Sequence, residues 1–554
     1  MFRRFSFGPL CLLVFQISSP AADIAELQEL RAKIAAQQEQ IQRLQQSVNE
    51  QQKLLERALQ VVEASATAPA ATAPAATAST DAPVKLVNAV NRQNRDIVNL
   101  PRAMQGGTEK SSPLSVSIGN TTFTPLGFMD ATFFARSTNV GSGIGTNFAG
   151  IPLNNQPTGH LSESNFSAQN SRLGIRVDST FMGAKVLGYL EADFLFNNNS
   201  NGYQITSNSA GFRLRNYFVD LTTKNGFEFM GGQDWSLLTP NRKGLSPLPS
   251  DLFYTQDIDT NYQVGLTWTR APQFRFISHP NENFAFGVAF ENPQQYIGGG
   301  AGASTVTLPS NLNGTFTLLN TQFQANGQPL SIPNWFPDII FKGAYDGSAG
   351  GKVMHVEAAG LVRGFKDYIP ASVPSAMGGN HSAVGFGGSV NANLEIIKNV
   401  RLIANTFFSD GGGRYIFGIA PDVVVRPDGT ISPLHAYSTL DGVEAQVSKN
   451  TLLAAYYGGA YVGKNIAFDP TTSGSTLAKP VYIGYGTPTG TQNRTVQEIT
   501  FDWVQTLWKN PNYGALSLIN EYSYVWRNLW AVTPPNSKGA HTNMVYVNLR
   551  YTLP

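Results

Sequence analysis

A two-residue alternation of apolar and polar side chains recurs through most of this 554-residue chain. In the stretch SRLGIRVDSTF, the apolar residues Leu173, Ile175 and Val177 share one face of an extended strand. The charged residues take the opposite face, and the pattern resumes in AKVLGYLEADFLF after the two-residue break Met182-Gly183. Because side chains of a strand point alternately to its two faces, such segments are predicted to be strands with one apolar and one polar face.

The length and spacing of these segments distinguish a membrane barrel from a soluble sandwich. Many candidate strands run for about 10 to 14 residues, longer than the usual ~5 to 6. Short breaks such as Lys398-Asn399 alternate with long loops rich in Gly, Asn and Ser, such as residues 138–167. The apolar face carries many of the 34 Phe, 20 Tyr and 7 Trp residues, and a further segment from Tyr262 to Trp268 is also predicted to be such a strand. Short turns at one rim, long loops at the other and an aromatic outer band indicate an outer-membrane β-barrel.

The predicted fold class is therefore all-β, a 16-stranded antiparallel transmembrane β-barrel over residues 113–554, preceded by an N-terminal α-helical coiled coil. About seventeen candidate strands are visible, and an even number is expected of a single-chain barrel, so the surplus element at Gly413 to Gly418 is assigned to a loop. A closed barrel has no free strand edges in lipid. At this size side chains cannot fill the interior, so an aqueous channel is predicted.

Composition excludes several other classes of protein. Charged residues make up 14% of the chain and the net charge is +2, which argues against nucleic acid as a partner. No apolar run beyond the N-terminus is long enough for a transmembrane helix, and the one cysteine, Cys11, lies in the N-terminal apolar stretch. The six histidines lack metal-ligand spacing and no nucleophile elbow is present, so neither an enzyme, a cofactor nor a metal is predicted.

The first 112 residues are predicted to divide into three parts. Residues 1–21 have the basic start, short apolar run and small-residue exit of a secretory signal peptide. Residues 22–63 carry a heptad repeat that predicts a self-associating coiled coil, with dimer and trimer both open, and residues 64–112 are an Ala/Thr/Pro-rich linker and tether. The residues assigned to oligomerisation are Leu27, Leu30, Ile34, Ile41, Leu44, Val48, Leu55 and Val62.

Charged side chains on the polar faces of the first strands are predicted to line the pore. Two interpretations stay open: opposite charges pair across the wall, or they form a transverse field that orients polar solutes and weakly selects anions. The predicted pore-lining residues are Arg172, Arg176, Asp178, Lys185, Glu191, Asp193, Arg213 and Arg215.

A Pro-rich segment with mixed charges, residues 236–261, follows the fifth candidate strand. It is predicted to fold into the barrel as a constriction loop, with its basic residues facing its acidic ones; an ordinary external or trimer-latching loop is the alternative. The Asp257-Asp259 pair lacks the further carboxylates of a calcium loop and is taken as loop charge. The predicted constriction residues are Arg242, Lys243, Asp251, Asp257 and Asp259.

Two segments resemble a known family. SRLGIRVDSTFMGAKVLGYLEADF is similar to the S-R-x-G-(I/F)-x…G…E-x-(D/E)-F signature of general trimeric porins, and RNYFVDLTTKNGFEFMGGQDWSLLTP is similar to the hairpin that follows it. With a coiled coil and an Ala/Pro spacer ahead of one large barrel, the chain resembles the DcaP-like outer-membrane porins. The resemblance implies a homotrimer of 16-stranded barrels, with Arg172, Arg176, Arg213 and Arg215 as pore-wall basic residues. The ending RYTLP departs from the aromatic terminal residue usual in such barrels.

The sequence thus predicts a porin in the outer membrane of a Gram-negative type of cell, with its coiled coil in the periplasm. Its expected partners are outer-membrane lipid, two further copies of the chain and small hydrophilic solutes, among which anions are one candidate class. The alternative is a structural outer-membrane protein whose coiled coil tethers the barrel to the cell wall or to a periplasmic partner. The number of strands weighs against it, since about eight would be enough for an anchor.

Overall fold

A computed structural model describes residues 112–196, 210–258, 261–299, 304–313, 321–325, 331–469, 481–532, 534–535 and 537–554. The predicted signal peptide, coiled coil and linker lie outside these residues, and so does Asp259. Within the described ranges, no helix combines the length and the apolar character needed to cross a membrane.

The described residues form β-strands almost throughout, and the short helical turns Phe148–Gly150, Pro157–His160, Ser310–Asn313 and Gly413–Tyr415 lie in loops. The strands are β1 Val116–Ile118, β2 Thr121–Arg136, β3 Glu163–Ser167, β4 Arg172–Phe181, β5 Ala184–Phe196, β6 Gly211–Thr222, β7 Phe227–Trp235, β8 Arg270–Ser278, β9 Phe284–Glu291, β10 Asp338–Ala349, β11 Lys352–Ile369, β12 Gly379–Ile397, β13 Val400–Asp410, β14 Val423–Val425, β15 Ile431–Pro433, β16 His435–Ser448, β17 Thr451–Val462, β18 Asn465–Phe468, β19 Tyr482–Tyr485, β20 Asn493–Asn510, β21 Gly514–Leu529 and β22 Gly539–Thr552.

The sheet closes on itself because β2 pairs with β22 on one side and with β3 and β4 on the other. β3 and β4 occupy successive stretches of one edge of β2 and so form a single interrupted wall strand, while β1 lies only beside the first residues of β2. The 18-stranded sheet of described residues is therefore a wall of sixteen antiparallel strands. The all-β, 16-stranded antiparallel barrel is confirmed, and the coiled-coil part of the predicted fold class falls outside the described residues.

The apolar face of the wall points outward. On β20, Phe501 is 54% exposed and Trp503 is 47% exposed, whereas the alternate residues Thr500 and Asp502 are 0% and 4% exposed. The same inversion recurs around the barrel, where exposed apolar residues such as Phe274 and Phe276 on β8 and Val545 and Leu549 on β22 alternate with buried ones. An apolar exterior around a polar interior is the arrangement of a protein whose wall faces lipid.

Short turns join the strands at one rim and long loops join them at the other. The β4–β5 turn has Met182 at φ 51° and Gly183 at φ 82°, the two left-handed residues of a two-residue hairpin. At the opposite rim, the loop between β13 and β16 packs inward, and Tyr415 and the β14 residues Val423–Val425 are fully buried. The surplus element predicted as a loop, at Gly413 to Gly418, lies in that segment.

One predicted strand is wrong. Residues Tyr262 to Trp268 do not belong to the wall, because β8 begins only at Arg270. The segment alternates in polarity, yet Tyr262, Val264 and Leu266 are 4%, 0% and 1% exposed and contact other parts of the barrel interior rather than lipid.

A histidine at the short-turn rim gives a pH-dependent prediction. The Nε2 of His279 lies 3.2 Å from a carboxylate oxygen of Glu228, and this hydrogen bond raises the pKa of His279 above its usual value. A histidine whose pKa is higher in the folded than in the unfolded state stabilises the folded protein. This stabilisation is fully present below about pH 6.5 and is lost as the pH rises through the folded-state pKa. We expect His279→Gln to lower the free energy of unfolding at pH 5 and to leave it unchanged at pH 9. The loss at pH 5 should be at most about 1 kcal/mol, because the ring is partly exposed.

Urea unfolding midpoints of both proteins at the two pH values measure this difference. His541→Gln, which removes an exposed ring beside Tyr524, is the control for loss of an imidazole. Equal destabilisation by His279→Gln at pH 5 and pH 9 would contradict the prediction.

Candidate pore and its inward loop

The segment between β7 and β8, residues 236–269, leaves the wall and crosses the inside of the barrel; we call it the inward loop. The backbone N–H of Ile258 donates to Glu521 of β21 at 2.8 Å, and that of Val264 donates to Glu498 of β20 at 2.7 Å. These strands lie far around the wall from β7 and β8. Carboxylates that accept backbone N–H groups form strong hydrogen bonds, so the loop is held across the lumen.

A buried ion pair fixes the middle of the inward loop. The guanidinium of Arg242 donates to both carboxylate oxygens of Glu444 on β16, at 2.8 and 2.7 Å, and also to the carbonyl oxygen of Tyr254 at 2.7 Å. Glu444 accepts a further hydrogen bond, 2.6 Å long, from the hydroxyl of Tyr456. Burial alone would lower the pKa of Arg242, but Glu444 outweighs it and raises that pKa above its usual value.

A second group of charges holds the loop near β10 and β11. The Nζ of Lys342 donates to the carbonyl oxygen of Thr239 at 2.7 Å and to Oδ1 of Asn241 at 2.8 Å. Lys342 also lies 2.8 Å from Glu357, which accepts the backbone N–H of Asn241 at 3.2 Å. Deeper in the barrel, the N–H of Gly244 donates to a carboxylate oxygen of Asp346 at 2.8 Å. The loop is therefore anchored to two separate parts of the wall.

The predicted constriction residues that the structure describes all belong to the inward loop. Arg242 takes its carboxylate partner from the wall rather than from the loop itself. The carbonyl oxygen of Asp251 accepts the N–H of Arg242 at 2.7 Å, while Asp257 lies against the wall carboxylates Asp502 and Glu521. The pairing of basic against acidic residues within the loop stays a prediction, and both Lys243 and Asp251 have further contacts.

The predicted pore-wall arginines Arg172, Arg213 and Arg215 are paired with acidic residues on β5. Arg213 donates to both oxygens of Asp193 at 2.9 and 2.7 Å, and Arg215 lies 2.7 Å from Glu191 and from Asp193. Arg172 lies 3.5 Å from Glu191. The sequence left two interpretations open, and the geometry at these strands matches the first, in which opposite charges pair across the wall.

The remaining predicted pore-lining residues lie toward the short-turn rim. Arg176 donates to both oxygens of Asp178 on its own strand, each at 2.7 Å, and this pair is partly exposed. Lys185 is exposed one residue after the start of β5. These three residues therefore lie apart from the paired charges of Arg213 and Arg215.

Sequence reasoning missed a cavity where the inward loop meets the long-loop rim. The cavity has a volume of about 230 Å³, and Arg213, Arg215 and Arg270 line it together with the aromatic residues Trp235 and Trp268. Arg270 was overlooked because it directly follows the segment predicted to be a strand, so no face could be assigned to it. The signal in the sequence was a basic residue beside the aromatic run ending in Trp268.

Sixteen strands with an apolar exterior, a polar lumen and a loop folded into that lumen define the porin class of barrel. Comparison with solved structures finds the following similar barrels. The outer membrane channel DcaP of Acinetobacter baumannii aligns with a TM-score of 0.53 and 15% identity, over 79% of this chain and 98% of that chain. The anion-selective porin from Comamonas acidovorans aligns with a TM-score of 0.42 and 14% identity, over 78% of this chain and 99% of that chain. Pseudomonas putida OprB aligns with a TM-score of 0.42 and 9% identity, over 77% of this chain and 94% of that chain.

No protein-family model matches the sequence, and a comparison with curated proteins gives no significant match. At 15% identity, the likeness to DcaP shows a shared fold. The predicted resemblance to a DcaP-like outer-membrane porin is thus confirmed for the barrel.

Proposed function

We propose that this protein is an outer-membrane porin that lets small hydrophilic solutes diffuse passively through a water-filled channel. The observation that carries the proposal is the inward loop, which crosses the interior of a sixteen-stranded barrel and is held there by charged side chains of the wall. A narrowed polar lumen is what size-limited passage of solutes requires.

The chemistry of the interior supports a channel over a simple anchor. Ionised groups inside the barrel are costly to bury and are held by partners, as in the pairs Arg242–Glu444 and Arg215–Glu191. An anchor gains nothing from such groups, since apolar residues would fill its interior without that cost.

Three further features belong to the proposal. The protein is a homotrimer, its coiled coil over residues 22–63 extends into the periplasm, and the barrel is surrounded by outer-membrane lipid. The apolar belt of the wall supports the last of these. The first two depend on the heptad repeat of residues 22–63 and on the porin resemblance.

Single-channel recording in a planar lipid bilayer tests the proposal. We expect the purified, folded protein to conduct and to close in three equal steps, each step being one barrel of the trimer. Closure in one step would contradict the proposed trimer but would still be consistent with a porin. A folded barrel that does not conduct would overturn the porin, and the tether to the cell wall or a periplasmic partner would replace it.

A further inference from the structure

The cavity at the long-loop rim contains hydrogen-bond donors that have no acceptor. The indole Nε1 of Trp268 and the Nε and Nη1 atoms of Arg270 are covered and have no hydrogen-bond partner in the structure. Both side chains line the cavity of about 230 Å³. Indole and guanidinium groups can only donate, so the group that would satisfy them must be an acceptor.

The charge around this cavity is also unbalanced. Arg213 and Arg215 share the carboxylates Glu191 and Asp193. Among the described residues Arg270 takes part in no ion pair within 4.0 Å, although it lies beside those arginines. Arg270 is half-buried, and two nitrogens of its guanidinium are covered and lack an acceptor, so the cavity would gain from an anion taken up from solution.

Aromatic side chains give the cavity apolar walls. The guanidinium carbon of Arg270 lies 5.1 Å from the ring centroid of Trp235, within the range of a cation–π contact. Trp268 packs edge-on against Phe417 of the loop between β13 and β16, with ring centroids 4.7 Å apart. Such walls lower the local dielectric constant and strengthen the attraction between Arg270 and an anion.

We infer that Arg270 is a specificity-determining residue of the pore, which binds a small carboxylate in this cavity before the solute passes the inward loop. The inference deepens the proposed function and rests on it. A carboxylate supplies acceptor oxygens for the guanidinium and, in the same cavity, for the indole N–H of Trp268. The volume of about 230 Å³ suits a monocarboxylate of a few heavy atoms.

Titration of the folded, full-length protein with sodium acetate at constant ionic strength tests this inference, with tryptophan fluorescence as the readout because Trp235 and Trp268 border the site. We expect a saturable change with a dissociation constant in the millimolar range, and a loss of affinity of about tenfold in Arg270→Gln. Lys224→Gln, which removes an exposed positive charge from the turn between β6 and β7 at the other rim, should leave the affinity unchanged within about twofold.

If Arg270→Gln fails to fold, Arg270→Lys takes its place. It keeps the positive charge but lacks the Nε and Nη1 donors, so we expect its affinity for acetate to fall, and an unchanged affinity would overturn the inference. Recording in a potassium acetate gradient separates the inference from the proposed function. If the protein conducts but acetate binds equally well to the wild type and to Arg270→Gln, the inference is overturned and the proposed porin function stands. If acetate binding depends on Arg270 but the barrel does not conduct, the proposed porin function is overturned and the proposed binding site stands.

Discussion

Deleting Lys243 to Ser250 should raise the single-channel conductance about twofold or more, because this segment occupies the lumen of a barrel that its own side chains cannot fill. Leu245 is fully buried inside the barrel, and Leu248 packs against the cluster that contains Tyr189 and Phe218. The N–H of Gly244 is bound by a wall carboxylate. Removing eight residues that span these contacts leaves space for water and ions.

The increase is measured by single-channel recording in a planar bilayer at fixed salt concentration. Deleting Asn155 to Thr158, an exposed stretch of the loop between β2 and β3, shortens the chain without touching the lumen and should leave the conductance unchanged. A folded Lys243 to Ser250 deletion variant that conducts like the wild type would show that the current bypasses this part of the inward loop.

The sequence predicted the wall of the barrel well because strand alternation is a local property. Two-residue breaks such as Met182-Gly183 and the outward aromatic residues are encoded within a few positions of one another. The prediction failed at Tyr262 to Trp268, where alternation has another origin. There the apolar and the polar residues are both buried inside the barrel, and the chain turns at Val264 and Gly265. The alternation in the sequence therefore does not correspond to the two faces of an extended strand.

The charges of the candidate pore show what local patterns cannot provide. The ion pairs of Arg213 and Arg215 join β6 to β5, two strands that are adjacent in the chain, and pairing of opposite charges across the wall was one of the two interpretations that the sequence left open. The carboxylates that hold the inward loop, such as Glu444 and Glu521, are far from it in sequence. Their contacts exist only once the barrel has closed, so no alternation or spacing in one sequence could assign them to the loop.

Replacing Glu444 by Gln should lower the free energy of unfolding by about 3 kcal/mol, because it leaves the buried guanidinium of Arg242 without its anion. The two side chains are 5% and 2% exposed, so water cannot take the place of the lost carboxylate. The hydroxyl of Tyr456 would also lose a charged acceptor. Guanidinium chloride unfolding of the detergent-folded protein, monitored by tryptophan fluorescence, measures the change.

A partly exposed pair with similar bond lengths separates the effect of burial from that of pairing. Arg176 and Asp178 form a 2.7 Å ion pair whose side chains are 21% and 43% exposed, and Arg176→Gln should cost less than about 1 kcal/mol. The double variant Arg242→Gln/Glu444→Gln should recover part of the stability lost in Glu444→Gln, since no unpaired charge then stays buried. Equal losses in Glu444→Gln and Arg176→Gln would mean that the inward loop is held by its backbone hydrogen bonds to Glu498 and Glu521, and that its central ion pair contributes little.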